Sequence, residues 1–299
     1  MEEYGPRPFG YGDLEEKIKK IKGAKGPVKA FVMGKSVLGR SIYALGMGQL
    51  RQPALMVGAT HGLESITSAL LMMFAEELME ALGNRTQICG VDPRRVQESR
   101  GLIIVPMLNP DGVEIAQHGA RGCLHLAKRI YDICDGHFER WQANARGVDL
   151  NHNFDAGWEK LRQMEISYGI LKPAPTRFGG YRPMSEPEVK AIAHIISSFD
   201  IKTLYSFHSQ GEEIYYHYGP HTPIQSKLMA QILASSSGYT LSEPEGIASH
   251  GGLKDYFIQK YRRPGFTIEV GRGKNPLPPS DGPAIYEKIR EMMTLAMIL

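Results

Sequence analysis

Apolar residues follow two rhythms along this chain. In the first they form short unbroken runs: "ALMVGA", "LIIVPML", "TLYSFH" and "GFTIEV". A run without alternation predicts a strand buried on both faces. "VKAFVMG" and "SIYALGMG" also read as strands, joined by a turn-rich connector over residues 34–39, and "EIYYHY" predicts one more. In the second rhythm apolar residues recur every three or four positions. "DLEEKIKKIKG" places Leu14, Ile18 and Ile21 on one helical stripe behind a cap at Asp13. From about Ser65, the residues Ile66, Ala69, Leu70, Met73, Phe74 and Leu78 predict a long buried helix. "SEPEVKAIAHIISSF" predicts a helix opened by a capping box at Ser185 and Glu188. "PIQSKLMAQILASS", "GGLKDYFIQKY" and "PAIYEKIREMMTLAM" complete the set. A further helix lies between Gly112 and Ala145, where the pattern does not fix its ends. The alternation, without repeat or linker, predicts one α/β domain over residues 1–299, with a central mixed, mostly parallel sheet and helices on both faces.

Composition narrows the function classes. The chain has 299 residues, 42% of them apolar, enough for a sizeable core. A net charge of +3, with Lys and Arg dispersed, falls short of a nucleic-acid footprint. The longest apolar run, from Ala69 to Ala75, is too short to span a bilayer, so no membrane role is expected. Cys89, Cys123 and Cys134 include no C-x-x-C pair and read as ordinary reduced thiols. The polar, acidic opening "MEEYGPRPFGYGDLEEK" has no apolar signal region, so a cytoplasmic location is expected. Oligomeric state is not set by any feature of the sequence.

Candidate chemistry begins at "GATHGLES". Among ten histidines, most are ordinary surface or hydrogen-bonded side chains. His61 differs because it follows a buried strand and precedes a buried helix, where open α/β sheets place their ligands. Glu64 follows in the same turn, and an imidazole with a carboxylate there makes half a zinc site. "TLYSFHSQG" offers a distant third ligand, His208, also at a strand end. Glu269 ends the apolar strand "GFTIEV". A buried charge is costly unless paired or functional, so Glu269 is either half of a salt bridge or a reactive carboxylate. Asn109 to Gly112, in "LNPDG", carry a strong turn signal and read as scaffold.

Taken in order, "HGLE", "LNPDG", "RGVDLNHNF", "SFHSQG" and "FTIEVG" resemble the zinc carboxypeptidase family, the relatives of carboxypeptidase A, from about Tyr11 to the C-terminus. The resemblance implies one Zn²⁺ per chain held by His61, Glu64 and His208, a two-histidine, one-glutamate set. It implies Glu269 as general acid and base, and Asp149 as the acid that orients a ligating histidine. It also implies that Ser209 helps to hold a peptide substrate. Such a centre polarises the scissile carbonyl and lowers the pKa of water toward ~7. Glu269 would then accept the attacking water's proton and return one to the leaving amine.

The departures from carboxypeptidase A concern the substrate. The family's carboxypeptidases grip a terminal carboxylate with an Asn-Arg pair. Here Asn151 remains, but His152 takes the arginine's place, and an imidazole makes no bidentate, permanently charged fork. Ile247 stands where the family has a substrate-facing tyrosine. Gln142, after Trp141, stands where it has the oxyanion arginine, a role for which Arg146 is the substitute. Lys254 falls at the pocket position that sets side-chain preference, and it either suits an acidic group on the substrate or is an ordinary helix lysine. Within the family, "WQANARGVDLNHNF" and "GGLKDYFIQKYRRPGFTIEVGRGKNPLP" look most like the bacterial γ-D-glutamyl-L-diamino acid endopeptidases. These cut peptidoglycan stem peptides before meso-diaminopimelate or lysine, which makes a muropeptide the expected substrate. Three rivals remain: a carboxypeptidase for α-linked peptides, with Arg177 or Arg182 restoring carboxylate binding; a zinc-dependent acyl-amino-acid amidohydrolase; and a binding module without catalysis.

Overall fold

The computed structural model describes residue 4, residues 7–24 and residues 26–299. Residues 1–3, 5–6 and 25 lie outside them, and with them a part of the acidic opening. Among the described residues eight strands form one sheet: β1 (Val28–Lys35), β2 (Ser41–Met47), β3 (Ala54–Val57), β4 (Leu102–Val105), β5 (Thr203–His208), β6 (Glu213–Tyr215), β7 (Thr240–Leu241) and β8 (Gly265–Glu269). Their order is β1-β2-β4-β3-β5-β8-β6-β7. The four central strands, β4, β3, β5 and β8, are mutually parallel. Antiparallel pairing joins β2 to β4 and β1 to β2 on one side, and β6 to β8 on the other. The expected mixed sheet is therefore observed.

The unbroken apolar runs are explained by two covering layers. Successive strand residues point to opposite faces. Ala54 and Met56 of β3 join Tyr205 and Phe207 of β5 in one core, against helices Ile66–Asn84, Gln225–Ser237 and Gly282–Ala296. Leu55 and Val57 join Leu204 in the other, against helices Pro187–Ser198 and Leu253–Tyr261. A strand covered on both faces has no polar face to show, hence no alternation. Each fully buried side chain such as Phe74 or Ile192 contributes roughly 1.5–3 kcal/mol. No described helix is long and apolar enough to cross a membrane.

Several local expectations are corrected. The first helix runs Tyr11–Gly23 with Gly10 as its N-cap, and Asp13 accepts from the Gly10 N–H from inside the first turn. The helix at Pro187–Ser198 has no capping box; Glu188 instead accepts from the Val37 N–H and from Asn144. Only Glu213–Tyr215 of "EIYYHY" pairs as a strand. "LNPDG" is less a turn than a helix start: Asn109 caps Pro110–His118 by accepting from the Gly112 N–H. Two more helical segments follow, a 3-10 stretch at Gly119–Leu126 and an α-helix at Ala127–Cys134, where the sequence pattern does not fix the limits.

Topology then fixes where a site can form. After β3 the chain steps to β4 on one side, and later returns to β5 on the other. The carboxyl ends of β3 and β5 flank the point where strand order reverses, the crevice that such sheets use for ligands.

Candidate active site

The turn after β3 is built to fold tightly. Gly62 lies so close to its neighbours that a Cβ there would sit 2.3 Å from the Gly112 carbonyl oxygen. Gly62–Glu64 form one 3-10 turn, closed by the Glu64 N–H donating to the His61 carbonyl at 3.2 Å. Thr67, on the next helix, clasps this turn from behind. Its hydroxyl donates to the Glu64 carbonyl at 2.8 Å and accepts from the Ala59 N–H at 2.7 Å. Two side chains three positions apart thus converge on one point.

His208, the last residue of β5, meets them there. His61 Nδ1 lies 3.0 Å from Glu64 Oε1, and His208 Nδ1 lies 3.1 Å from Glu64 Oε2. The two Nδ1 atoms are 3.3 Å apart. The outer nitrogens are each held from outside: His61 Nε2 by Asp149 Oδ1 at 3.1 Å, and His208 Nε2 by the Ser206 hydroxyl at 3.1 Å. The Nδ1 atoms are thereby turned inward beside the carboxylate. Asp149 is itself fixed, accepting from the backbone N–H groups of Asn151 and Arg177. Two imidazoles, one carboxylate and outer-nitrogen partners are the donor set of a mononuclear zinc centre. His61, Glu64 and His208 form a group able to hold one metal ion.

The charges follow from packing. Burial by itself would raise the Glu64 pKa, but His61 and His208 outweigh it and hold the carboxyl well below its ordinary range. Asp149 is depressed for the same reason, by His61 and His152 against burial. Burial disfavours a charged His61, yet Glu64 and Asp149 overcome that and push its pKa well up. Glu64 and Asp149 thus stand ionised beside a charged His61, whose proton a bound metal would displace.

Glu269 ends β8, in register with His208 of the adjacent parallel strand. The two side chains leave the sheet on one face, side by side. Burial pushes the Glu269 pKa up, and the Glu64 carboxylate adds to the effect. No cation pairs with it among the described residues, so the salt-bridge alternative has no partner. Such a carboxyl holds and releases a proton more readily near neutrality than an ordinary one does.

The substrate-facing residues are placed less simply. Asn151 lines a cavity of about 340 Å³ beside Glu269, where its Oδ1 accepts from the Leu253 N–H. His152 is buried, and its Nδ1 lies 3.0 Å from the fully buried Glu165, which also takes Arg162 and the Gly179 N–H. Only Nε2 is left for other use. Ser209 donates to Asn275 Oδ1 at 2.8 Å, tying the end of β5 to the loop after β8. Arg146 reaches Glu186 at 3.5 Å, and among the described residues no ion pair or hydrogen bond joins its side chain to His61 or His208. Lys254 overturns the solvated-lysine alternative. It is only 4% exposed, and its ammonium donates to the His217 carbonyl and to Asp255. Glu165, Ser206 and Thr67 were not singled out from sequence. Ser206 carried a signal, since residues two apart in a strand share a face; Glu165 carried none.

The zinc carboxypeptidase family profile matches residues 14–293. The chain belongs to that family, whose members are zinc-dependent peptide hydrolases. It is 33% identical to the γ-D-glutamyl-L-diamino acid endopeptidase 1 of Lysinibacillus sphaericus, over 95% of this chain and 71% of that one. An uncharacterised protein of Bacillus subtilis, YqgT, is 32% identical over 89% of this chain and 70% of its own. In fold, the carboxypeptidase A of Helicoverpa armigera superposes with a TM-score of 0.74 at 20% identity, covering 98% of this chain and 73% of that one. A murein-tripeptide amidase from Escherichia coli O157 gives 0.55 at 21% identity, covering 93% and 95%.

Proposed function

We propose that this chain hydrolyses the bond between γ-D-glutamate and a diamino acid in peptidoglycan stem peptides. His61, Glu64 and His208 are assigned to zinc, and Glu269 to proton transfer. The observation that carries the reading is His152: at the position of the terminal-carboxylate arginine stands an imidazole already bonded to buried Glu165. A site so built does not depend on a free α-carboxylate next to the scissile bond. The endopeptidase of Lysinibacillus sphaericus, similar over nearly the full chain, supports the same substrate.

The residues divide the work as follows. Asp149 and Ser206 hold the two imidazoles in orientation through their outer nitrogens. When bound, zinc supplies Lewis acidity toward the scissile carbonyl and a more acidic water. Glu269 accepts the proton of the attacking water and delivers it to the leaving nitrogen, which must therefore lie against its carboxyl. Asn151 offers its amide N–H groups to the leaving residue.

Mass spectrometry of products tests this. Zinc-loaded protein is given L-Ala-γ-D-Glu-meso-diaminopimelate, the corresponding tetrapeptide, and a panel of α-linked peptides. Release of L-Ala-D-Glu from the first two, with the panel intact, is the expected result. Loss of single C-terminal residues from the panel would replace this reading with a carboxypeptidase.

A further inference from the structure

We propose that the cavity beside Glu269 selects a leaving residue bearing a side-chain ammonium, that Glu243 and Glu245 read this charge, and that Lys254 is not an anion receptor. The inference rests on the diamino acid reading above for its natural substrate and adds the residues responsible for it. Because Glu269 protonates the leaving nitrogen, the residue that leaves sits against Glu269. Its side chain enters the cavity that Glu269 shares with Asn151, Glu243, Glu245, Lys254 and Asp255.

The charges in that cavity do not balance. Lys254 is the one cation among the described residues that line it, and it is spent: Asp255 neutralises it, and the His217 carbonyl takes a second N–H. Breaking that pair to receive a substrate carboxylate would leave Asp255 buried without its cation. Glu243 and Glu245 are exposed at the rim and have no hydrogen-bond or ion-pair partner for their carboxylates among the described residues. A carboxylate side chain would meet two like charges there, and Glu269 beyond them. An ammonium meets two opposite charges that stay partly hydrated, so little desolvation opposes the attraction. Lysine carries that ammonium alone and diaminopimelate carries it beside a carboxylate, so lysine is the better leaving residue of the two.

The test compares leaving residues in two series, L-Ala-γ-D-Glu-X and α-linked Ala-Ala-X, with X as lysine, norleucine, Nε-acetyl-lysine or glutamate. Wild-type protein is expected to favour lysine over norleucine about tenfold in kcat/KM, with glutamate below both. The Glu243→Gln/Glu245→Gln variant should bring lysine and norleucine to within about twofold. Raising the salt concentration should narrow the wild-type ratio as well. Equal turnover of lysine and norleucine by wild type, or an unchanged ratio in the variant, would overturn the assignment. Because the ratio is read in whichever series is cleaved, the two proposals fail separately. Lysine preference confined to α-linked peptides would sink the γ-D-glutamyl reading alone. Cleavage of γ-linked peptides without that preference would sink this one alone.

Discussion

Glu64 and Glu188 are both buried carboxylates, 3% and 0% exposed, yet their pKa values move in opposite directions. Glu64 lies in the cleft, between the imidazoles of His61 and His208. Glu188 lies under the turn over residues 144–148, where its partners are the neutral Asn144 amide and the Val37 N–H, with Asp111 nearby. Burial favours the neutral acid in both places. In the cleft the histidines reverse it. Under the turn nothing does, and the Glu188 pKa is pushed up to about 7. Depth alone therefore does not decide charge; the ionic character of the neighbours does. The cleft keeps an anion ready for a metal, while the turn keeps a proton.

Removing the cleft's cation acceptor should cost the most. His208→Ala, or chelation of the wild type, should abolish turnover and take bound zinc from one per chain to none, as elemental analysis would record. Full activity after complete zinc removal would show that the Glu64 carboxylate serves no metal. Next comes Glu269→Gln. We expect kcat to fall about 10³-fold with zinc still bound; intact turnover in the zinc-loaded variant would remove Glu269 from the reaction.

Glu188→Gln sharpens the other side. A folded-state pKa above the ordinary value of 4.5 means the folded protein holds the proton more tightly. That stability is fully present below pH 4.5 and is lost as pH rises through about 7. Between those limits the wild type should lose up to about 3 kcal/mol relative to the variant. Urea unfolding of both at pH 4.5 and pH 8 measures it, and parallel pH dependences would show that Glu188 is not the titrating group. The smallest effect is expected at Asp149→Ala. Freeing the outer nitrogen of His61 should weaken zinc binding 10–100-fold, measured by competition with a chelator. Unaltered affinity would leave Asp149 a purely structural acid.

What was legible in the sequence follows the range of the forces involved. The buried strands and most helices came through because their apolar spacing is a local property. His61 and Glu64 were readable as a half-site for the same reason, being one turn at a strand end. That His208 and Glu269 stand in register on neighbouring strands is a long-range fact, available only through the ordered motifs and their family resemblance. The failures are tertiary. Ser185 and Glu188 spell a capping box, but Val37 and Asn144 claim the Glu188 carboxylate. Lys254 could pass for a solvated lysine until the carbonyl of His217, 37 residues away, is found against its ammonium. His152 read as a weakened substrate contact, whereas Glu165 takes one of its two nitrogens.

The pairing of His208 with Glu269 across β5 and β8 has an implication for how this protein tolerates insertions. The metal ligand and the reacting carboxylate are aligned by counting residues, since alternate positions face opposite ways. One residue inserted between Gly265 and Glu269 would turn that carboxylate toward the core side occupied by Phe266 and Ile268, without changing any side chain already present. Such a protein should still take up zinc and do nothing with it. Here the reading frame of the strand, as much as the identity of its residues, is what encodes the enzyme.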